Sequence, residues 1–487
     1  MTPKPAAFFK WAAGRPIRQM AKHFSPGVQR DSRKSSGMID RFLRRAFAVA
    51  LIVTLTVQPA AAQSILRDAE TEALLHEMAA PLIEAAGLPA KNVDIILVGD
   101  KEINAFVAGG QVVYINSGLL AAADNANEVQ GVISHELGHL AAGDVLRGAD
   151  GAKIATGITI LSLILGAAAI AAGAGAAGAG IFAAGQQAAL GKYLAFSRTQ
   201  ESAADQSGRR YLAGAGISGK GMISFFKKLQ GQEYRLAIEQ DSAYDRTHPL
   251  TGDRIQVLQD ALAADKAWNK PTDPAIEARF QRVKAKLFGF SSEPPLVIRR
   301  YPESDQSIPA HYARAYAYHK SAYPDRAVAE VDALLTAVPH DPYFEELKGQ
   351  ILLESGRPND ALAVLRDAVQ RTNYTPLIAA LFGHALIATE NPRNYAEAKS
   401  VLKSAIARDN QNPFAWYQLG VIYSHEGDQA RAALATAERF NLEGNSVAAL
   451  ANAKMAMIGI PTGSPDWIRA QDIAMVSESG DRKKRRK

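Results

Sequence analysis

The hydrophobic pattern beyond residue 63 alternates between a helical period and a strand period. Leucine and methionine recur three and four residues apart over residues 64–83, which predicts an amphipathic helix with one apolar face: Leu66, Leu74, Leu75, Met78 and Leu82. Residues 93–98 and 111–115 are rich in valine and isoleucine and predict two strands joined by a turn-rich link. Residues 124–142 have an acidic start and a glycine directly after their end, and they predict a further helix.

A long uncharged segment interrupts the amphipathic helical patterns that follow. Residues 154–190 contain no Asp, Glu, Lys or Arg, and the first half of this segment is long enough to cross a bilayer. Its second half is rich in glycine and alanine. Further helices are predicted around residues 193–214 and 220–240, and residues 275–288 predict a basic amphipathic helix.

Small residues recur at regular intervals through the last third of the chain. Intervals of 34, 34 and 37 residues separate four of them: Ala315, Gly349, Gly383 and Gly420. An alanine follows twelve residues later in three of the units: Ala327, Ala361 and Ala432. Ala398 fits the remaining unit if residues 391–394 are a loop insertion. The segment from Trp416 to Tyr423 is close to the tetratricopeptide pattern. We predict a solenoid of such repeats over residues 309–462, between a linker at 291–308 and a tail at 463–487; an unrelated helical bundle is the alternative.

The N-terminal residues have the pattern of an export signal. Arg41, Arg44 and Arg45 precede an uncharged run of about a dozen residues, which ends in a small-x-small site at Ala60–Ala62. We expect cleavage after Ala62, so that residues 1–62 are removed and the mature chain enters the periplasm. Met38 is the probable start of a signal of normal length. A retained membrane anchor is the alternative.

Composition narrows the chemistry that the chain can perform. None of the 487 residues is cysteine, which excludes disulfides, thiolate zinc sites and cysteine nucleophiles. The net charge of +6 is misleading, because residues 1–45 carry eleven basic side chains and the last six residues are all basic. The remainder has 38 basic and 47 acidic side chains, which argues against a nucleic-acid partner.

One short motif indicates metal chemistry. His135 and His139 stand four residues apart on the helix predicted at 124–142, so both imidazoles lie on one face and can share a metal ion. Glu136 lies beside them, where it can accept a proton from water. A third ligand must come from His, Asp or Glu, and Glu201 is a candidate, with Asp205 one turn further on and within reach of a ligand imidazole. The alternatives are a degenerate site without metal and a solvated acidic helix face.

These motifs together resemble those of a known family. HELGH at 135–139, SRTQESAAD at 197–205, and THPL at 247–250 leading to DRI at 253–255 resemble the HtpX and prenyl-protease-like zinc metallopeptidases, which are gluzincins. The segment NAFVAGGQVVYINSGLL at 104–120 is similar to the one that precedes their catalytic helix. With the export signal and the repeats, the closest likeness is to the periplasmic β-barrel-assembly-enhancing proteases.

The resemblance implies a fold and a set of site residues. The fold is mainly α, with an α+β gluzincin domain and a small sheet over residues 64–290 ahead of the solenoid. The implied cofactor is one Zn²⁺ per chain with three protein ligands: His135, His139 and Glu201. Glu136 would be the general base and acid, and Asp205 would orient a ligand imidazole.

Four further residues receive less specific roles. His248 would lie near the metal, either in the fourth coordination position of a resting state or as an oxyanion donor; a histidine at a helix start is the alternative. Arg254 would be structural or bind substrate. Strand 111–115, with Val113 and Tyr114, would pair its edge with an extended substrate.

The ligand assignment restricts the uncharged segment. A single crossing at residues 154–172 would place His139 and Glu201 on opposite sides of a bilayer. The segment is therefore expected to be a soluble cover or to contact a membrane surface, with a re-entrant hairpin as the alternative.

The implied function is a periplasmic zinc endopeptidase in quality control or assembly of outer-membrane β-barrel proteins. Its expected partners are unfolded or misassembled outer-membrane proteins, and the assembly machinery through the repeats. A chaperone-like binding module with a regulated or silent peptidase site is one alternative, and another gluzincin hydrolase, such as an aminopeptidase, is a second.

Overall fold

The computed structural model describes residues 65–144, 156, 158–165, 175–235, 248 and 252–484. The predicted export signal and the last three basic residues lie outside these ranges.

A small three-stranded sheet forms one part of the first domain. Its strands are β1 (Asp94–Val98), β2 (Ala105–Ala108) and β3 (Val112–Asn116). β3 is central, parallel to β1 and antiparallel to β2. β2 was not predicted: the turn-rich link contains a four-residue strand and a tight turn at Gly109 and Gly110, where both φ angles are positive.

The central position of β3 corrects one expectation. Both of its edges are paired, so β3 cannot add a substrate strand. Val113 is fully buried in the core, and Tyr114 stacks on Phe106 of β2 with ring centroids 5.0 Å apart. Substrate pairing through Val113 and Tyr114 is therefore wrong: the edge strands are β1, whose outer side bridges Ile65 at Val98, and β2.

Helices surround the sheet and confirm most of the predicted elements. They are α1 (Ala69–Ala85), α2 (Ser117–Ala122), α3 (Ala126–Ala142), α4 (Gly175–Ala215), α5 (Lys220–Arg235), α6 (Gly252–Ala263) and α7 (Pro274–Ser291). α4 is longer than predicted, because the glycine-rich half of the uncharged segment and residues 193–214 form one continuous helix. A 3-10 turn at Ala90–Asn92 precedes β1.

The described parts of the uncharged segment are helical and pack on each other. A Cβ on Gly185 would lie 2.0 Å from the Ser162 Cβ, so the glycine permits close contact between residues 158–165 and α4. Five apolar side chains nearby are more than half exposed: Ile160, Leu161, Leu163, Ile164 and Leu165. Among the described helices, none combines the length and apolar content that a bilayer crossing needs.

The C-terminal domain is a series of antiparallel helix pairs. The helices are α9 (Ile308–Lys320), α10 (Pro324–Ala337), α11 (Pro342–Glu354), α12 (Pro358–Arg371), α13 (Pro376–Ala388), α14 (Tyr395–Arg408), α15 (Pro413–His425), α16 (Gln429–Leu442), α17 (Ser446–Gly459) and α18 (Pro465–Lys484). A 3-10 turn at Pro392–Asn394 is the predicted insertion. The periodic small residues explain the packing, because a Cβ on Gly349 would lie 2.3 Å from the Leu365 Cγ.

Two predicted boundaries differ from the structure. The expected linker contains helix α8 (Pro294–Arg300), whose Val297 is fully buried. The expected tail contains α18, which packs on α17 through a buried apolar cluster that includes Ala470 and Ile473. The solenoid thus has a fifth helix pair, and residues 294–300 of the expected linker are helical while 301–307 are not.

A buried charge network joins the two domains. Glu70 at the start of α1 is 2 % exposed and accepts hydrogen bonds from Arg282 of α7 and from the Tyr312 hydroxyl of α9, the latter at 2.7 Å. Arg282 also donates to Asp341, the N-cap of α11, at 2.8 Å. Because buried charges are costly to separate from their partners, this network fixes the repeats against the first domain.

Candidate metal centre

Two packed helices bring the predicted ligands together. α3 carries His135 and His139 one turn apart, and α4 carries Glu201. The helices touch where Gly138 meets Ala204: a Cβ on Gly138 would lie 2.7 Å from the Ala204 carbonyl oxygen. Only glycine permits this approach, and it places the imidazoles of α3 against the carboxylate of α4.

The donor atoms are spaced as one tetrahedral ion requires. His135 Nε2 lies 3.1 Å from His139 Nε2 and 3.4 Å from Glu201 Oε2, and His139 Nε2 lies 3.3 Å from Glu201 Oε1. Zinc–ligand bonds of about 2.0–2.1 Å place tetrahedral donors about 3.3 Å apart. All three side chains are buried. The structure therefore brings the three predicted ligands into one group that could hold a metal ion.

Glu136 adds an independent sign of a polar ligand. Its carboxylate is fully buried, and neither oxygen has a hydrogen-bond partner among the described residues. A buried carboxylate without a partner is costly. A divalent ion with water at this position would remove the cost, so the residues fit a metal.

His248 also lies in the cluster. Its Nδ1 is 2.9 Å from Glu201 Oε1 and 3.4 Å from His135 Nε2, and its Nε2 is 3.6 Å from Glu136 Oε1. The side chain is buried, with 6 % of its surface exposed. The four residues together offer ligand atoms within 4.8 Å of one another.

Two carboxylates orient the histidine ligands from behind. Asp205 Oδ1 lies 3.0 Å from His135 Nδ1, which agrees with the sequence expectation. Asp144 Oδ2 lies 2.9 Å from His139 Nδ1, and Gln200 donates to the other Asp144 oxygen at 3.1 Å. Asp144 was missed. Its only signal in the sequence is a carboxylate directly after Gly143, the left-handed residue that ends α3.

Arg254 has a positioning role. Its guanidinium donates to Asp205 Oδ1 at 2.8 Å and lies 3.0 Å from Glu201 Oε2. It also stands over the Phe226 ring, 5.6 Å from the centroid. Its charge therefore faces two buried carboxylates of α4, which is the arrangement that the structural alternative requires, while substrate binding by Arg254 stays a prediction.

The electrostatics of the centre favour positive charge. Burial alone would raise the pKa of Glu201, but hydrogen bonds from three histidines hold that pKa far below its ordinary value. Burial would likewise lower the pKa of His139, yet Asp144 and Glu201 raise it to about 10. The carboxylates of the cluster therefore attract either protons or a metal cation.

Comparison with known proteins agrees with this geometry. The model of peptidase family M48 matches residues 67–262. Beta-barrel assembly-enhancing protease from Yersinia pestis is 24 % identical over 383 residues, which cover 77 % of this chain and 76 % of that protein. Metalloprotease LoiP from Escherichia coli is 33 % identical over 168 residues, and this match covers 34 % of this chain and 61 % of that protein.

A third relative shows the family. Protease HtpX homolog from Pelotomaculum thermopropionicum is 32 % identical over 228 residues, which cover 43 % of this chain and 75 % of that protein. The family match at residues 67–262 spans α3 and α4, which carry the candidate ligands, and the relatives are named as proteases. The chain is thus a metallopeptidase that belongs to peptidase family M48.

Proposed function

We propose that the chain is a zinc-dependent endopeptidase with one Zn²⁺ bound by His135, His139 and Glu201. The observation that carries the proposal is the spacing of the three donors at 3.1–3.4 Å. Two imidazoles and one carboxylate are a ligand set of catalytic zinc sites, which keep one further position open.

The chain's own residues supply the proton transfers. A bound zinc ion would polarise the scissile carbonyl and lower the pKa of water toward about 7. Glu136 accepts a proton from the attacking water as the C–O bond forms, and then delivers that proton to the amine nitrogen, after which the C–N bond breaks and the amine leaves. Its buried oxygens, which have no other hydrogen-bond partner among the described residues, suit this role.

His248 gives the site a closed arrangement. In the present geometry its Nδ1 stands where a fourth ligand would, 2.9 Å from Glu201 Oε1. A substrate carbonyl must displace this imidazole, after which the same side chain is close enough to donate to the developing oxyanion. This arrangement also favours the second candidate function, a chaperone-like binding module whose peptidase site is regulated.

An extended substrate would pair with β2. This strand lies at the sheet edge and packs against α3, which carries the ligands. Backbone pairing makes little demand on side-chain sequence. Such tolerance suits the unfolded chains that a quality-control protease must cut.

The proposed setting is the periplasm, where the chain would act on unfolded or misassembled outer-membrane proteins. The predicted signal over residues 1–62 supports export, and a relative that matches 77 % of the chain is named as a β-barrel-assembly-enhancing protease. The repeats would contact the assembly machinery, and the exposed apolar side chains at 160, 161 and 163–165 would touch a membrane surface. The acidic balance of the body disfavours nucleic acid as a partner.

The Glu136→Gln variant tests the proposed chemistry. The amide cannot accept the water proton, so digestion of casein and of an unfolded porin should fall at least about 100-fold while zinc content stays at one equivalent in the peptidase centre. Glu84→Gln on α1, an exposed position, is the matched control and should cut normally. A chelator should abolish cutting by the wild type. Full activity of Glu136→Gln, or activity that survives metal removal, would contradict the proposal.

A further inference from the structure

A second group of potential ligands lies in the repeats. His340 is in the loop between α10 and α11, Glu345 is on α11 and Asp367 is on α12. His340 Nδ1 is 2.7 Å from Asp367 Oδ2 and 3.6 Å from Glu345 Oε1. One imidazole nitrogen and two carboxylate oxygens thus lie within 4.8 Å of one another.

Glu345 is the member of this group that points to a ligand. Its surface is only 5 % exposed, and its Oε2 is buried without a hydrogen-bond partner among the described residues. Its carboxylate lies beside that of Asp367 in the same group. The two carboxylates repel each other, and the buried Glu345 oxygen has no hydrogen-bond partner among the described residues, so this arrangement lowers the stability of the folded state. A bound cation would remove that loss of stability.

We propose that His340, Glu345 and Asp367 bind one divalent transition-metal ion, separate from the peptidase centre. Imidazole nitrogen combined with carboxylate oxygen suits zinc and similar ions better than magnesium or calcium. The ion would connect the loop that begins the second repeat to both helices of that repeat.

Small movements suffice to form the site. Tetrahedral donors lie about 3.3 Å apart, so the 2.7 Å contact between His340 and Asp367 must open by about 0.6 Å. The side chain of His340 is 61 % exposed and can turn by that amount, and water can fill the remaining position. Arg371 competes, because its Nε donates to Asp367 Oδ2 at 3.0 Å.

Metal counting on the full chain from residue 63 tests the proposal, with Zn²⁺ as the probe. After equilibration in zinc and removal of loosely bound metal, the wild type should hold two zinc ions per chain by mass spectrometry. The His340→Gly and Glu345→Gln variants should each hold one. Glycine tolerates the left-handed backbone of His340 (φ +59°), so the first variant removes the ligand without strain.

The controls separate this site from the peptidase centre and from general histidine binding. His319 pairs with Glu354 at 2.8 Å on the same solenoid, so His319→Ala should keep two zinc ions. Arg371→Gln removes the competing cation and should bind the second ion several-fold more tightly in a chelator competition. Casein digestion by His340→Gly should equal that of the wild type.

Each result decides the matter. The proposal is overturned if the wild type and both variants, His340→Gly and Glu345→Gln, each hold one zinc ion. It is also overturned if the wild type and both variants each hold two. Circular dichroism confirms that each variant is folded. Failure here leaves the peptidase proposal intact, because that proposal is tested by Glu136→Gln.

Discussion

Gly138 holds the two helices of the metal centre in contact, and its replacement by alanine is the sharpest test of the geometry. The new Cβ would lie 2.7 Å from the Ala204 carbonyl oxygen and 2.8 Å from the Ala204 Cα. Both are backbone atoms, so no side chain can rotate away. An ordinary contact needs about 3.4 Å or more, so α3 and α4 must separate by about 0.7 Å.

Two opposing contributions set the change in stability. Alanine in a helix interior is favoured over glycine by about 0.8–1.0 kcal/mol. Overpacking of a filled contact costs about 1–3 kcal/mol. We expect a net loss of about 0–2 kcal/mol in the free energy of unfolding, which is small compared with the stability of an ordinary folded domain, so the variant should remain folded.

The effect on activity should exceed the effect on stability. His139 Nε2 on α3 lies 3.3 Å from Glu201 Oε1 on α4, and this distance increases when the helices separate. The two donor atoms are then too far apart to bind the same ion at normal bond lengths. A displacement approaching 1 Å costs about 100-fold in rate. Casein digestion and zinc content of Gly138→Ala measure this, and urea unfolding measures stability.

A glycine on the neighbouring helix provides the control. Gly180 of α4 has nothing within 4 Å of its hypothetical Cβ, so Gly180→Ala should match or slightly exceed the wild type in stability and cut casein normally. If Gly138→Ala keeps wild-type activity and zinc content, the close contact does not position the ligands and the reasoning is refuted.

Two other substitutions test the surroundings of the centre and of the domain junction. Asp144→Asn weakens the hydrogen bond that orients His139, so zinc affinity should fall about 10–100-fold in a chelator competition. The control Asp124→Asn changes an exposed carboxylate and should leave zinc affinity unchanged. Equal zinc affinities of the two variants would contradict the role of Asp144. Burial raises the pKa of Glu346 from 4.5 to about 8, so the folded state holds this proton more tightly. The stability it confers is complete below about pH 4.5 and is lost as the pH rises through 8. Glu346→Gln should therefore be more stable than the wild type at pH 8.5 and equal to it at pH 4.5 in urea unfolding; a pH-independent difference would refute this.

The sequence predicted the ligands because they follow helical spacing. His135 and His139 share a face whatever surrounds them, since four residues make about one turn. The pair Glu201 and Asp205 follows the same rule. The repeats were predictable for a related reason: small residues recur wherever helices must approach closely.

The roles of Arg254 and Asp144 could not be predicted, because they depend on tertiary contacts. Arg254 is 49 residues from Asp205, and no local pattern shows that its guanidinium reaches that carboxylate. β2 was missed for another reason. Four residues between turns are too few to show a strand period, so its pairing with β3 decides its structure.

The predicted linker shows how one signal can support two interpretations. Proline at positions 294 and 295 suggested an irregular segment, but proline is also favoured in the first turn of a helix. The segment is helical in the structure, as α8, because Val297 is then buried against the first repeat helix. The interior of the C-terminal helix pair likewise consists mainly of alanine, which lacks the aromatic signature of the earlier repeats.

The domain junction limits where a partner can bind the repeats. Asp341 is occupied by Arg282, and Asp409 accepts a hydrogen bond from Arg67 at 3.0 Å, so the chain's own first domain already covers these positions. Displacing it would break two buried contacts across the junction, Arg282 with Asp341 and the Tyr312 hydroxyl with Glu70. A partner that binds without unfolding the junction must therefore use other surfaces of the solenoid.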